Sequence, residues 1–219
     1  MKMRLKFEKK GDMRYISHLD LMRTLSRAVR RAQLPIAYSQ GYNPQPKISI
    51  ALPLSLGYTS DGEYMDMEFS HDISTQDVIN RLNNQLPCGL KIKQCMEVGE
   101  SKTSLMALIR YALYGVTFKD VDLGLLNNAV EDIVRSDHVM AEKKTKSGIK
   151  PVDIKGDIIK LYTKDCTLFM LVSAGSKRNL KPDLVLDALE DRYNGIKSKV
   201  VNVHRYEMYG ENMKTPMEA

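Results

Sequence analysis

The chain has 219 residues, 43% of them hydrophobic and 27% charged, with a formal net charge of +6. This composition is typical of a soluble globular protein with room for one large domain or two small ones. No apolar run approaches the roughly 18 residues that a membrane helix needs, so we expect no membrane partner and a cytoplasmic location. The three cysteines, Cys88, Cys95 and Cys166, are too widely spaced to predict a disulfide framework or a metal site. We therefore expect no metal and no cofactor.

The charge is distributed unevenly along the chain. Residues 1–50 carry a net charge of +8, residues 51–100 carry −5, and residues 101–219 carry +3. A segregated basic region favours a polyanionic partner, and RNA fits better than a lipid surface because no lipid-inserting face is visible. The alternative is a solvated face on a basic protein.

The first half of the chain has the periodicity of a βαββαβ unit. Residues 1–10 alternate between apolar and charged, which predicts a half-buried strand. Ser17 and Asp20 then form a capping-box-like pair, which predicts a helix that runs to about Gln33 and stops before Pro35. The later predicted elements are strands at 48–54, 63–69 and 90–98, and a helix from Ser74 to about Gln85.

The second half repeats this order more loosely. We predict strands at 107–118, 167–173 and 197–209, one or two strands within 143–164, and helices at 122–135 and 181–192. The fold class predicted is therefore α+β, with two tandem ferredoxin-like (βαββαβ) domains. The predicted domains are residues 1–100 and 105–211, with a linker near 99–106 and a flexible tail at 212–219.

The first helix is the strongest candidate for a functional element. At about 100° per residue, its arginines lie nearly opposite its apolar positions. Phosphates would neutralise such a face with bidentate, planar geometry. The alternative is ion pairing with acidic residues of the segment 61–68, although we expect that segment to be the solvated side of a strand. The four arginines are Arg23, Arg27, Arg30 and Arg31.

Two further features flank this helix. His18 lies at the helix start, where it could meet a bound phosphate or act in acid/base chemistry, or could simply hydrogen-bond locally. The loop at 39–47 has the sequence SQGYNPQPK, in which Gly41 permits a positive φ, Tyr42 offers a stacking face and Lys47 adds charge. A long ordered connector would need the same residue types.

Residues 9–68, KKGDMRYISHLDLMRTLSRAVRRAQLPIAYSQGYNPQPKISIALPLSLGYTSDGEYMDME, resemble a family of radical-SAM-linked bacterial domains of unknown function. Weaker similarity continues through KTSLMALIRYAL, KTKSGIKPVDIK, SKRNLKPDLVLDAL and VVNVHRYEMY. The resemblance implies a stand-alone accessory protein whose partner is a radical SAM protein with a B12-binding-type domain. The chain itself has no CxxxCxxC cluster motif. Gln45 replaces the histidine expected in a GFNPHP motif, which weakens any catalytic scheme that relies on this position.

The charge pattern and the resemblance together predict a non-catalytic protein that binds RNA, either tRNA or rRNA. It would act as a partner that holds or presents this RNA to a radical SAM enzyme for modification or processing. A second hypothesis is a metal-independent endoribonuclease in which His18 acts as the general base. A third is a protein-interaction module whose basic helix docks on the radical SAM partner. The residues predicted to bind RNA are His18, Arg23, Arg27, Arg30, Arg31, Tyr42, Asn43 and Lys47.

Overall fold

A computed structural model describes residues 1–99, 103–145 and 148–219. Within these ranges the chain forms ten strands and five α-helices, which confirms the predicted mixed α+β class. It divides into two units, Met1–Ile109 with Glu207–Ala219, and Arg110–Tyr206. Residues 100–102 of the predicted linker lie outside the described residues. No helix of the described ranges is long and apolar enough to cross a membrane.

The first unit contains four strands, three helices and the end of a further strand. In chain order these are β1 (Lys2–Lys9), α1 (His18–Arg31), β2 (Ile48–Ile50), β3 (Thr59–Glu68), α2 (Thr75–Asn83), β4 (Leu90–Val98) and α3 (Leu105–Leu108). Strand β1 pairs with β3 on one side and with β4 on the other, and β2 pairs with the end of β3, all antiparallel. The sheet order is therefore β4-β1-β3-β2.

One face of this sheet makes the core of the first unit. Alternate residues of β1, Met3, Leu5 and Phe7, are buried there. The apolar faces of α1 and α2 complete the same cluster, for example through Leu25 and Leu82. Burying each such side chain contributes about 1.5–3 kcal/mol, and this contribution holds α1 on the sheet with its opposite face in solvent.

The other face of the sheet carries a buried ion pair. The Arg4 guanidinium donates to both Asp66 carboxylate oxygens, with its Nε 2.9 Å from Oδ1, and the Lys2 ammonium lies 3.0 Å from Oδ2. Arg4 also donates to the Pro216 carbonyl at 2.9 Å, so the C-terminal segment packs here. Pro216 lies within the predicted flexible tail, residues 212–219, and is buried.

The acidic segment at 61–68 is only partly solvated, whereas the sequence predicted the solvated side of a strand. Glu63 and Asp66 are both buried, because β3 is the inner strand of its sheet and is covered on both faces. Glu68 pairs with Lys47 and Asp61 with Lys10.

The second unit contains a run of four paired strands and a separate hairpin. Its elements are β5 (Tyr111–Phe118), α4 (Leu123–Arg135), β6 (Met140–Thr145), β7 (Gly148–Asp153), β8 (Ile158–Lys164), β9 (Thr167–Ser173), α5 (Pro182–Glu190) and β10 (Val200–Tyr209), whose last residues return the chain to the first unit. The sheet order is β10-β5-β9-β8, and β6 and β7 form a two-stranded sheet of their own. Where the sequence predicted one or two strands at 143–164, the described residues form three.

Two other element predictions differ from the structure. Residues 107–118 were predicted as one strand, but Ser104 caps the short helix α3, and β5 begins only at Tyr111. Strand β3 begins at Thr59 rather than at residue 63, and β2 ends at Ile50 rather than at residue 54. A local cap explains the late start of β5, whereas tertiary pairing rather than alternation of residue types decides the bounds of β2 and β3.

Candidate nucleic-acid interface

Helix α1 begins with the cap that the sequence predicted. The Ser17 hydroxyl accepts the Asp20 backbone N–H at 3.2 Å and donates to the Asp20 carboxylate at 2.7 Å. Arg23 lies 3.1 Å from the same carboxylate. These contacts, the Ser17 hydroxyl first and Arg23 second, lower the pKa of Asp20. Asp20 therefore has a capping role and holds one of the four arginines.

The four arginines of α1 are all exposed. The helix is anchored by buried residues at helical spacing, Leu21, Leu25, Ala28 and Val29. By helix geometry the arginines then cover an arc of about 100° on the solvent side. The predicted amphipathic arrangement is therefore present.

The four arginines of α1 differ in their hydrogen bonds and ion pairs within the protein. Arg31 donates through its Nε to the Gln85 side chain at 3.3 Å and through a terminal nitrogen to the Gln85 carbonyl at 2.7 Å, which ties the end of α1 to the segment after α2. Among the described residues, Arg27 and Arg30 have neither an ion pair nor a hydrogen bond to a side chain or loop. The proposed neutralisation by the acidic segment 61–68 does not occur for these two residues.

The C-terminus of α1 is fixed by a residue that the sequence did not single out. Arg81 of α2 donates to the Ala32 carbonyl at 2.9 Å through its Nε and also contacts the Gln33 carbonyl. Gln33 has a φ of 51°, in the left-handed region, so α1 ends there before Pro35 is reached. Contacts at the C-terminal end and the buried apolar face together hold the backbone of α1, which carries Arg27 and Arg30.

A loop that follows α1 presents an aromatic side chain. Its base is closed by backbone bonds from the Lys47 amide to the Ala37 carbonyl at 2.8 Å and from the Ser39 amide to the Gln45 carbonyl at 2.9 Å. Gly41 has a φ of 115°, a conformation that residues with a side chain rarely adopt. At the tip between these bonds, the Tyr42 ring is fully exposed.

The remaining predicted residues of this loop have different surroundings. Asn43 is exposed beside Tyr42 at the tip. Lys47 is paired with Glu68 at 2.6 Å, and both side chains are nearly half exposed. An exposed pair of this kind contributes little stability and can exchange partners, so Lys47 is a weaker candidate for phosphate contact than Arg27 or Arg30.

Several apolar side chains near the start of α1 were not predicted from the sequence. Tyr15, Leu19 and Leu56 are all more than half exposed. The Arg14 guanidinium lies over the Tyr15 ring, 4.7 Å from its centroid, and the Arg14 carbonyl accepts the Gly57 amide at 2.8 Å. Tyr15 follows Arg14 in the chain and Leu56 precedes Gly57, so both residues lie beside this hydrogen bond. Sequence periodicity could not find Tyr15 and Leu56, because Tyr15 ends a single short 3₁₀ helix, Gly11–Tyr15, and Leu56 lies in a turn.

His18 is the first residue of α1 and is exposed. Of the other histidines, His71 lies in the first unit, ahead of α2, whereas His138 and His204 lie in the second unit. The described residues contain no group of three or more histidine, cysteine, aspartate or glutamate side chains that could hold a metal ion. Burial, with Glu97 contributing, raises the pKa of Cys95 to about 12, so this cysteine remains a thiol near neutral pH.

His138 forms an ion pair whose pH dependence can be predicted. Its Nδ1 lies 2.6 Å from Asp153 Oδ2, and this contact raises the pKa of His138 and, with the backbone donors of Lys155 and Val139, lowers that of Asp153 to about 2. The stabilisation from the histidine is complete below its unfolded pKa, near 6.5, and is lost as pH rises through the folded pKa. The aspartate contributes stability above pH 3.8 that is lost as pH falls towards 2.

We expect NMR titration of the histidine side chains to show this directly. The pKa of His138 should lie above the ordinary histidine value, and Asp153→Asn should lower it towards that value. An unchanged His138 pKa in the Asp153→Asn variant would contradict the assignment of Asp153 as its partner.

The protein is therefore an α+β protein of two units. Its first unit carries a helix with exposed arginines, α1, and a loop that exposes the ring of Tyr42. The chain belongs to the family described as "Uncharacterized protein conserved in bacteria (DUF2344)", which matches residues 2–182. No curated protein matches the chain. Family membership confirms the resemblance at the level of a bacterial domain of unknown function.

Proposed function

We propose that this protein binds RNA without catalysing a reaction on it, and presents tRNA or rRNA to a radical SAM enzyme that carries a B12-binding-type domain. The observation that carries the proposal is the pair Arg27 and Arg30, exposed on one face of a fixed helix and without a partner among the described residues. The proposed location is the cytoplasm, where both kinds of RNA are found.

A role in binding phosphates explains the exposed arginine face of α1 better than a role in stabilising the helix does. Arg30, in the last turn, interacts favourably with the carbonyl end of the helix, but Arg27 lies in the middle of α1 and gains nothing from that end. Neighbouring like charges on one helix face repel each other by a few tenths of a kcal/mol. An RNA backbone would remove this repulsion, and each guanidinium can bind a phosphate through two hydrogen bonds.

Tyr42 supplies the second part of the proposed surface. A ring held at the tip of a closed loop can stack on an unpaired base, and stacking contributes about 1–3 kcal/mol per base. Asn43 beside it can hydrogen-bond to a base edge. His18 at the start of α1 is proposed to contact a phosphate or sugar, while Arg23, Arg31 and Lys47 add positive charge.

We expect Tyr42→Ala to weaken binding of single-stranded RNA about 5-fold to 100-fold, since one stacked base is lost. Tyr42→Phe should bind like the wild type because it keeps the ring. Fluorescence anisotropy with a labelled oligonucleotide measures both. If Tyr42→Phe loses as much affinity as Tyr42→Ala, stacking is not the role of this side chain.

The radical SAM partner is proposed from the family resemblance, and exposed apolar side chains near the start of α1 support a protein contact there. Tyr15, Leu19 and Leu56 are the kinds of apolar side chain that protein interfaces bury. This observation also favours a second candidate function, a protein-interaction module that docks on the enzyme through these apolar side chains rather than through the basic face of α1. Complex formation that resists reversal of the α1 arginines would favour docking through the apolar residues.

The fold proposal is two tandem ferredoxin-like domains. Its support is that the first unit has the strand order β4-β1-β3-β2, and the second unit has β10-β5-β9-β8. If the strands of each unit are numbered in chain order without the hairpin β6–β7, both units have the order 4-1-3-2. The hairpin β6–β7 would then be an insertion between the first helix and second strand of the second domain.

Crosslinking in cells tests the proposed function. The tagged wild-type protein and the variant Arg27→Glu/Arg30→Glu/Arg31→Glu are crosslinked to RNA, and the bound RNA is sequenced. Enrichment of particular tRNA or rRNA positions that is lost in the variant is the expected result. Equal recovery of RNA with both proteins would overturn the assignment of α1. Recovery of 2′,3′-cyclic phosphate ends that depend on His18 would replace RNA presentation by the endoribonuclease hypothesis.

A further inference from the structure

A second group of cations lines a cleft in the second unit. The cleft has a volume of about 520 Å³ and lies between β6 and the loop that precedes α5. That loop has the sequence GSKRNLK at residues 175–181. Five cationic and three acidic residues line the cleft: Lys143, Lys177, Arg178, Lys181 and Lys197, with Glu142, Asp183 and Asp187.

Part of this charge is already neutralised within the unit. Arg178 lies 3.2 Å from Asp157, which is outside the cleft lining, and Lys197 pairs with Asp187. The other three lysines, Lys143, Lys177 and Lys181, are exposed and have no ion pair among the described residues. Glu142 and Asp183 are the acidic residues that remain on the lining, so the cleft keeps an excess of positive charge.

The hairpin adds a like-charge pair. Lys143 on β6 is directly opposite Lys150 on β7 in the strand register. Residues opposite each other in an antiparallel pair point to the same face, so Lys150 is on the same face of the hairpin as Lys143, just outside the cleft lining. Like charges placed this way destabilise a hairpin, and the described residues provide no acidic partner for either lysine.

We infer that this cleft is a second RNA-binding site, which takes backbone phosphates between the hairpin and the 175–181 loop. The free cations lie at an exposed rim and on two separate elements, which suits a strand passing through the cleft better than a small enclosed anion. Lysine is a flexible point charge and favours phosphates without selecting bases. The identity of the ligand rests on the proposed function, whereas the site itself is independent of α1.

The experiment compares three charge-reversal variants of the full chain in their binding of purified bulk tRNA. The hairpin variant is Lys143→Glu/Lys150→Glu, and the helix variant is Arg27→Glu/Arg30→Glu. The control, Lys160→Glu/Lys164→Glu, makes the same change in net charge on exposed residues of β8, outside the cleft lining. Affinity is measured by anisotropy between 50 and 200 mM salt, conditions over which phosphate contacts weaken strongly.

We expect the hairpin variant to bind at least about 10-fold more weakly than the control, with a salt slope smaller by about 1.4–1.8 for two lost phosphate contacts. Lys177→Glu/Lys181→Glu, on the opposite wall, should reproduce the loss, and it replaces the hairpin variant if that variant does not fold. Hairpin and control variants with equal affinity would overturn the inference.

Failure of this inference and failure of the proposed surface on α1 give different results. If only the helix variant loses tRNA affinity, the cleft does not bind RNA and α1 remains the RNA-binding element. If only the hairpin variant loses tRNA affinity, the cleft binds RNA and the arginine face of α1 does not. Absence of tRNA binding by the wild type, with rRNA fragments also unbound, rejects both sites.

Discussion

Asp66→Ala is expected to lower the free energy of unfolding by about 3–5 kcal/mol, since it leaves the charge of Arg4 buried without its partner. The side chains of Arg4 and Asp66 are only 4% and 2% exposed. Two hydrogen bonds of the guanidinium to the carboxylate are lost, and only the bond to the Pro216 carbonyl remains. Urea unfolding followed by circular dichroism measures the change.

Matched variants separate the buried pair from charge in general. Lys2→Ala removes the other cation on Asp66, but the Lys2 side chain is 27% exposed, so we expect a cost of at most about 1 kcal/mol. The double variant Arg4→Met/Asp66→Leu removes both buried charges and should be considerably more stable than Asp66→Ala alone. If Asp66→Ala and Lys2→Ala have the same small effect, the pair is not buried in solution as the structure describes.

The helix variant Arg27→Glu/Arg30→Glu is expected to reduce tRNA affinity by about 100-fold relative to the wild type. Two phosphate contacts are lost, and two new negative charges repel the RNA backbone. The salt slope should also fall by about 1.4–1.8. Equilibrium binding at several salt concentrations measures both quantities.

Two controls make this result specific. Arg27→Gln/Arg30→Gln removes the attraction without adding repulsion, so its affinity should lie between those of the wild type and the helix variant. Melting temperatures should remain close to that of the wild type, because exposed substitutions usually change stability by no more than about 0.5 kcal/mol. If the helix variant binds tRNA as tightly as the charge-matched control on β8, the α1 face does not hold RNA.

Local sequence patterns predicted the elements that depend on neighbouring residues. The bounds of α1 follow from the Ser17 cap and from apolar residues that recur every three or four positions. Strand β4 was predicted with its observed bounds, because it alternates clearly between a proline-glycine turn and the linker. The exposure of Arg27, Arg30 and Tyr42 was also predictable, since helix periodicity and turn-forming residues decide it locally.

Only the tertiary structure decided which charges are free. From the sequence, the four arginines of α1 and Lys47 are equivalent candidates for phosphate contact. In the structure Arg31 donates to Gln85, 54 positions away, and Lys47 pairs with Glu68, 21 positions away. The buried pair of Arg4 and Asp66 joins residues 62 positions apart. The first contact depends on how α1 and α2 pack and the other two on strand register, and no local pattern specifies either.

The second unit shows the same division. The lysine-rich runs at 143–150 and 177–181 are visible in the sequence, yet nothing local indicates that they line one cleft. The sequence by itself thus determined the α+β class, most element positions and the amphipathic helix, because these depend on interactions within a few residues. Tertiary structure decided the strand order, the buried ion pair and the surviving free cations, because these depend on segments brought together only by folding.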